Sequence, residues 1–157
     1  MKTIGDSYMC AGGVPKKNST HAIDSVLAGL EIQQFINFLQ SMKKKNGESF
    51  WELRLGIHSG PLVAGVIGEK KFAYDVWGDT VNTASRMESS GKSGKINISG
   101  ATYQLVKRFF DCEHRGRINA KNKGKVEMYF VNGIKPKLSL NQDRKTPNDL
   151  FWKKYSS

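Results

Sequence analysis

Residues 20–47 contain the strongest periodic signal in the sequence. Apolar side chains recur there three or four residues apart, which is the spacing of a helix that buries one face. They are Ile23, Val26, Leu27, Leu30, Phe35, Phe38, Leu39 and Met42. Thr20 is placed to cap the first turn, and Lys43-Lys44-Lys45-Asn46-Gly47 ends the pattern. We therefore predict one long helix in this part of the chain.

Shorter patterns on both sides of this helix predict strands and two further helices. Residues 2–4 and 7–11 flank Gly5-Asp6, a pair typical of a hairpin turn. Strands are predicted at residues 51–58, 62–67, 72–77, 95–98, 109–118 and 126–134, and helices at residues 79–89 and 100–107, the second capped by Ser99. Residues 135–157 contain two prolines and many charges, so we predict an irregular segment there. Strands that alternate with helices indicate an α/β or α+β sheet domain.

Composition restricts the class of protein. The 157 residues fit one domain, and 38% hydrophobic residues suffice for a compact core. No apolar run reaches the roughly 20 residues that span a bilayer, and the first residues lack the apolar stretch of a signal peptide. Cys10 and Cys112 lack metal-ligand spacing, so we expect free thiols and a cytoplasmic location, although upstream domains of a parent protein could attach to a membrane.

The net charge of +11 is concentrated near the C-terminus. Residues 115–157 contain 11 Lys and Arg against 3 Asp and Glu. Such a segment suits a polyphosphate ligand, a nucleic acid or an acidic membrane surface. For residues 135–157 the alternative is a basic tail that is simply solvated.

Two short motifs could bind a phosphorylated ligand. Asp6 follows Gly5 on the predicted hairpin, where a carboxylate could hold Mg²⁺, although an Asp in this position is often an ordinary turn residue. Asn82 and Arg86 are four residues apart, so on a helix an amide and a guanidinium share one face. Asp75 lies just ahead and could accept a hydrogen bond from the amino group of a base. The alternative is an amphipathic helix with its polar face in water.

A basic turn between the last two predicted strands is a third candidate. Lys121 and Lys123 could reach phosphates as mobile charges, or they could only make the turn soluble. Gly91-Lys92-Ser93 is not a phosphate-binding P-loop, because Arg86 stands where that motif needs glycine. Gly60, Gly65 and Gly68 lack the spacing of a dinucleotide-binding loop.

Taken together, the motifs resemble the catalytic domain of class III adenylate and guanylate cyclases. The resemblance is carried by Lys-Thr-Ile-Gly-Asp at 2–6, Leu-Arg-Leu-Gly-Ile-His-Ser-Gly-Pro at 53–61, Trp-Gly-Asp-Thr-Val-Asn-Thr-Ala-Ser-Arg-Met-Glu-Ser at 77–89 and residues 115–131, in the family's order. It implies an α+β fold with a ferredoxin-like βαβ-type sheet and helices on one face. Residues 1–134 would form a partial catalytic domain, and residues 135–157 a basic C-terminal tail.

The resemblance implies a reaction in which the ribose 3′-hydroxyl of ATP attacks the α-phosphate and expels pyrophosphate. Two Mg²⁺ or Mn²⁺ ions assist it, and Asp6 matches the second of two metal-binding aspartates. Lys2 and Asp75 match the positions that read the base. Guanylate cyclases usually carry Glu and a small residue there, so both positions indicate ATP.

Three further roles follow from the same resemblance. Asn82 matches the residue that orients the ribose, and Arg86 matches the arginine that stabilises charge developing in the transition state. Lys121 best matches the lysine that contacts the terminal phosphates, with Lys123 as the second candidate.

Members of this family work as dimers with sites at the subunit interface. The expected partners are ATP and either a second copy or another cyclase chain, and no nucleic acid, because no basic helix or aromatic stacking motif is present. The family's first metal-binding aspartate lies on a strand that precedes residues 2–6, where this sequence begins. We therefore expect little or no activity from these 157 residues alone. The alternative is a non-catalytic domain that binds nucleotide or a partner cyclase.

Overall fold

The computed structural model describes residues 2–68 and 73–157, which form strands, four α-helices and two short 3₁₀ turns. The strands are β1 (Lys2–Ile4), β2 (Ser7–Met9), β3 (Leu55–Ile57), β4 (Val63–Ile67), β5 (Ala73–Trp77), β6 (Ile96–Ser99), β7 (Phe110–Ala120) and β8 (Gly124–Ile134). The helices are α1 (His21–Lys45), α2 (Asp79–Ser89), α3 (Gly100–Val106) and α4 (Asp149–Tyr155), and the 3₁₀ turns are Pro136–Leu138 and Leu140–Gln142. Within the described ranges, no helix is long and apolar enough to cross a bilayer.

A four-stranded mixed sheet organises the fold. Its order is β3-β6-β8-β7, with β3 parallel to β6 and the other neighbours antiparallel. β1–β2 and β4–β5 form separate two-stranded antiparallel hairpins. The hairpin β4–β5 and helix α2 together connect β3 to β6, so the chain crosses over between parallel strands. The predicted α+β class is confirmed.

The main core lies between the first half of α1 and the sheet. Ala22, Ile23 and Val26 are buried there, against Ile96 and Ile98 of β6. The predicted start and end of this helix are confirmed within two residues.

The second half of α1 departs from the predicted buried stripe. Phe35 is 60% exposed and Phe38 is 59% exposed, although both fit the helical spacing. Periodicity shows which residues share a face of the helix, but it does not show how far along the helix a neighbour covers that face.

The prediction of an irregular tail at residues 135–157 is wrong. Phe151 of α4 is fully buried in the main core, where its ring packs edge-on against Phe109 at 5.1 Å between centroids. The Tyr155 hydroxyl donates to Asp24 Oδ1 at 2.6 Å, so α4 also contacts the start of α1. Apolar burial outweighs the high local charge, because Phe151 is buried while Lys153 is exposed and Lys154 places its Nζ 6.0 Å from the centroid of the Phe109 ring.

Other boundaries differ less. The strand predicted at residues 51–58 is paired only over Leu55–Ile57, and Trp51 is 92% exposed. The strand predicted at residues 72–77 is observed as Ala73–Trp77, and Phe72 lies outside the described residues. The helix predicted at residues 79–89 is confirmed at both ends.

Candidate active site

The hairpin β1–β2 brings Lys2 to Asp75 of β5, 73 residues away in sequence. Lys2 Nζ donates to Asp75 Oδ2 at 2.6 Å. The Asp75 side chain is 11% exposed and the Lys2 side chain 44% exposed, so the carboxylate is held inside and the lysine approaches from the surface. The two residues that the resemblance assigns to base recognition are therefore in direct contact.

Asp75 is ionised in this arrangement. The hydrogen bond from Lys2 lowers the pKa of the Asp75 carboxyl, and a second bond from the Val76 N–H to Asp75 Oδ1 at 2.9 Å lowers it further. Burial acts in the opposite direction but is outweighed. The site therefore presents a carboxylate acceptor beside an ammonium donor.

Helix α2 carries the next two candidates. Asn82 and Arg86 lie about 40° apart around the helix axis, and roughly 110° from the face that buries Thr80, Thr83 and Met87. Asn82 is exposed and Arg86 is partly exposed. The prediction that the amide and the guanidinium share one side of a helix therefore agrees with the structure.

Backbone contacts position α2. A Cβ atom at Gly56 of β3 would lie 2.0 Å from the Glu88 nitrogen, so strand and helix meet with no side chain between them. At the other end, Thr80 Oγ1 donates to the Pro61 carbonyl at 2.5 Å. Neither contact has a local sequence signal, because each depends on residues distant in the chain.

The two lysines of the basic turn between β7 and β8 have different surroundings. Lys123 Nζ forms an ion pair with Asp79 in the first turn of α2. Lys121 is exposed and forms no ion pair with any described residue. Of these two lysines, Lys121 is therefore the one whose charge is not paired with a described carboxylate, and its role at a phosphate stays a prediction.

Asp6 lies at the exposed tip of the β1–β2 hairpin, where Gly5 has a φ of +60°. Its carboxylate is the oxygen donor that Mg²⁺ prefers. Across residues 2–68 and 73–157, however, no three His, Cys, Asp or Glu side chains cluster as a metal site would require. Asp6 can contribute to a metal centre, but the described residues do not complete one.

Comparison with known sequences identifies the family. Residues 1–133 match the profile described as the adenylate and guanylate cyclase catalytic domain. The chain belongs to this family.

Both kinds of cyclase occur among the relatives. Human guanylyl cyclase C is 44% identical over 139 residues, and adenylate cyclase type 9 of Gallus gallus is 38% identical over 158 residues. These alignments cover 86% and 91% of this chain but only 13% and 12% of the relatives. The chain thus spans about an eighth of the length of these curated relatives.

A solved structure confirms the fold. The guanylate cyclase domain of RhGC from Catenaria anguillulae, in complex with GTP, is 41% identical and superposes with a TM-score of 0.76. The superposition covers 85% of this chain and 71% of that one. The class III cyclase fold is therefore established, whereas the names of the relatives leave the choice between ATP and GTP open.

Proposed function

We propose that this chain is part of an adenylate cyclase and provides the base-recognition and transition-state residues of a site that converts ATP to 3′,5′-cyclic AMP and pyrophosphate. The contact between Lys2 and Asp75, at 2.6 Å, carries the proposal. An ionised carboxylate accepts from the 6-amino group of adenine, whereas the same position of guanine is a carbonyl that would repel it. Lys2 supplies a donor for a ring nitrogen acceptor.

The remaining residues act on the sugar and phosphates. Asn82 hydrogen-bonds the ribose and orients its 3′-oxygen toward the α-phosphorus. As the new P–O bond forms and the bond to pyrophosphate breaks, negative charge grows on the phosphate oxygens, and Arg86 neutralises it with a guanidinium that stays charged at all relevant pH values. Lys121 holds the terminal phosphates that leave.

Class III cyclases use Mg²⁺ or Mn²⁺, which activates the 3′-hydroxyl and offsets phosphate charge. Asp6 would be one ligand. Because the described residues do not complete a metal centre, we assign no step of the reaction to a metal on this chain alone.

The proposed site lies between two chains. The resemblance to class III cyclases implies that the metal-binding aspartate comes from one subunit and the base-recognition residues from the other. In a homodimer, Lys2 and Asp6 would then serve different sites although they share one hairpin. The partner is a second copy or another cyclase chain, and the interface brings Asp6 of one subunit toward the nucleotide held by the other.

Nucleotide preference tests the proposal. A fluorescent ATP analogue is first bound to the purified chain in the presence of Mn²⁺, and ATP or GTP is then added to displace the analogue. Cyclic nucleotide formed by the chain is measured separately by mass spectrometry. We expect ATP to bind about tenfold more tightly than GTP, which corresponds to roughly 1.4 kcal/mol. The double variant Lys2→Glu/Asp75→Ser should reverse the order, while Lys16→Glu, an exposed loop lysine, should leave it unchanged.

The other outcomes identify the alternatives. A preference of the unsubstituted chain for GTP would make it a guanylate cyclase. Binding of ATP without any cyclic product, even with added partner cyclase, would indicate a non-catalytic nucleotide-binding domain. No binding of either nucleotide would leave only a role as a partner chain.

A further inference from the structure

Arg115 of β7 is partly buried, yet among the described residues no carboxylate forms an ion pair with it. Its Nη1 donates to the Ser90 carbonyl and to Asn97 Oδ1, both at 2.9 Å. The guanidinium also lies over the ring of Phe130, 4.1 Å from the centroid. A guanidinium taken from water is costly unless its donors are satisfied, so these contacts must compensate.

The first acceptor is the end of helix α2. Ser90 is the C-terminal capping residue of α2, and the last carbonyls of a helix have no partner within it. These carbonyls form the negative end of the helix dipole, so a cation is the most favourable donor there. Arg115 therefore holds the last turn of α2 with a charge-assisted hydrogen bond.

The second acceptor extends the same contact. Asn97 of β6 is fully buried, and its Nδ2 donates to the Met87 carbonyl at 2.8 Å. The Ser90 N–H in turn donates to the Arg86 carbonyl at 3.0 Å. Arg115 thus acts on the backbone of the residue next to Arg86 through Asn97, and on that of Arg86 itself through Ser90.

We propose that Arg115 is a positioning residue for Arg86. It fixes the last turn of α2, with Asn97 as the bridge, so that the Arg86 guanidinium is directed at the reacting phosphate before the nucleotide arrives. Its effect on turnover rests on the proposed function, whereas its hold on α2 does not. Misplacement of a transition-state group lowers the rate at saturating substrate and leaves ground-state binding little changed.

Hydrogen exchange of the full chain, followed by mass spectrometry, tests the hold on α2 without any substrate. In Arg115→Gln we expect amides of residues 86–90 to exchange about tenfold faster, the size expected for loss of a hydrogen bond to a charged group. Arg115→Lys should recover part of the protection, because it keeps a cation at the helix end. Arg117→Gln is the matched control, since Arg117 lies two residues along β7 and pairs with Glu127.

Steady-state turnover of Mn-ATP, measured with an added partner cyclase chain that supplies a complete metal site, tests the link to Arg86. We expect Arg115→Gln to lower kcat about tenfold with KM within about twofold, and to add no further loss in an Arg86→Lys background. Unchanged exchange in α2, equal acceleration in α1 and α4, or a loss confined to KM would each overturn the inference. If the unsubstituted chain forms no cyclic nucleotide even with the partner cyclase chain added, the proposed function fails, and the exchange data still decide whether Arg115 holds α2.

Discussion

Gly56 allows the sharpest test of how α2 is positioned. In Gly56→Ala the new Cβ would lie 2.0 Å from the Glu88 nitrogen and 2.6 Å from the Met87 carbonyl carbon. Ordinary contact begins at 3.4 Å, so α2 must move by the difference of 1.4 Å, and the obstructing atoms are backbone that cannot rotate away. Overpacking costs about 1–3 kcal/mol where side chains can adjust, and we expect at least the upper value here.

Thermal and urea unfolding, followed by circular dichroism, measure this cost. For a domain of this length each kcal/mol lowers Tm by about 2–4 °C, so Gly56→Ala should melt roughly 6–12 °C below the unsubstituted protein. Gly65→Ala is the control, because its Cβ would meet only the Trp77 ring, at 3.6 Å. If the Gly56 variant melts within 2 °C of the control, roughly the effect of 1 kcal/mol or less, then strand and helix do not meet at their backbones and the reasoning is refuted.

Three further predictions use other parts of the molecule. Phe151→Ala should cost about 3–5 kcal/mol in urea unfolding, as for other large buried rings; a loss below about 1 kcal/mol would show that α4 is not part of the core. Burial raises the pKa of the Cys112 thiol to about 11, so at pH 8 a thiol reagent should modify exposed Cys10 first and Cys112 only with unfolding; equal rates would contradict this. The hydrogen bond from Lys2 lowers the pKa of Asp75 in the folded protein. The ionised Asp75 therefore stabilises the fold above pH about 4, the usual pKa of an aspartate in the unfolded chain, and this stabilisation is lost as the pH falls through the lower pKa of the folded state. The urea midpoint of Asp75→Asn should therefore fall less between pH 5 and 2 than that of the unsubstituted protein. If the midpoints of the two proteins fall in parallel, the ion pair between Lys2 and Asp75 does not cause the acid dependence.

Local sequence patterns predicted the helices and strands well where the residues with the expected spacing also pack against a neighbouring element. Helix α2 has its boundaries set by Gly78 before it and by a polar run after it, and the structure agrees at both ends. Strand β3 is shorter than its alternation suggests, because only Leu55–Ile57 find partners on β6. Helix α4 was missed because seven residues are too few for a periodic signal, and its burial depends on α1 and β7.

The residues of the candidate site likewise fall into two groups, those that the sequence identifies and those that only the structure shows. Lys2, Asp75 and the Asn82–Arg86 pair could be named from their motifs, and the structure places the first two in contact. Arg115 and Gly56 could not be assigned a role, because their partners are a helix end and a helix backbone that no local pattern identifies. The residues that support helix α2 are thus harder to recognise in the sequence than the candidate site residues that the helix carries.

Helix α4 also affects how the protein is made. The hydrogen bond from Tyr155 of this helix to Asp24 joins residues that are 131 positions apart in the sequence. During synthesis the first half of α1 therefore emerges long before the side chains that complete its core. Until residue 155 has left the ribosome, the contact between α4 and the start of α1 cannot form. Folding of the complete core therefore waits for residues that come more than a hundred positions after the start of α1.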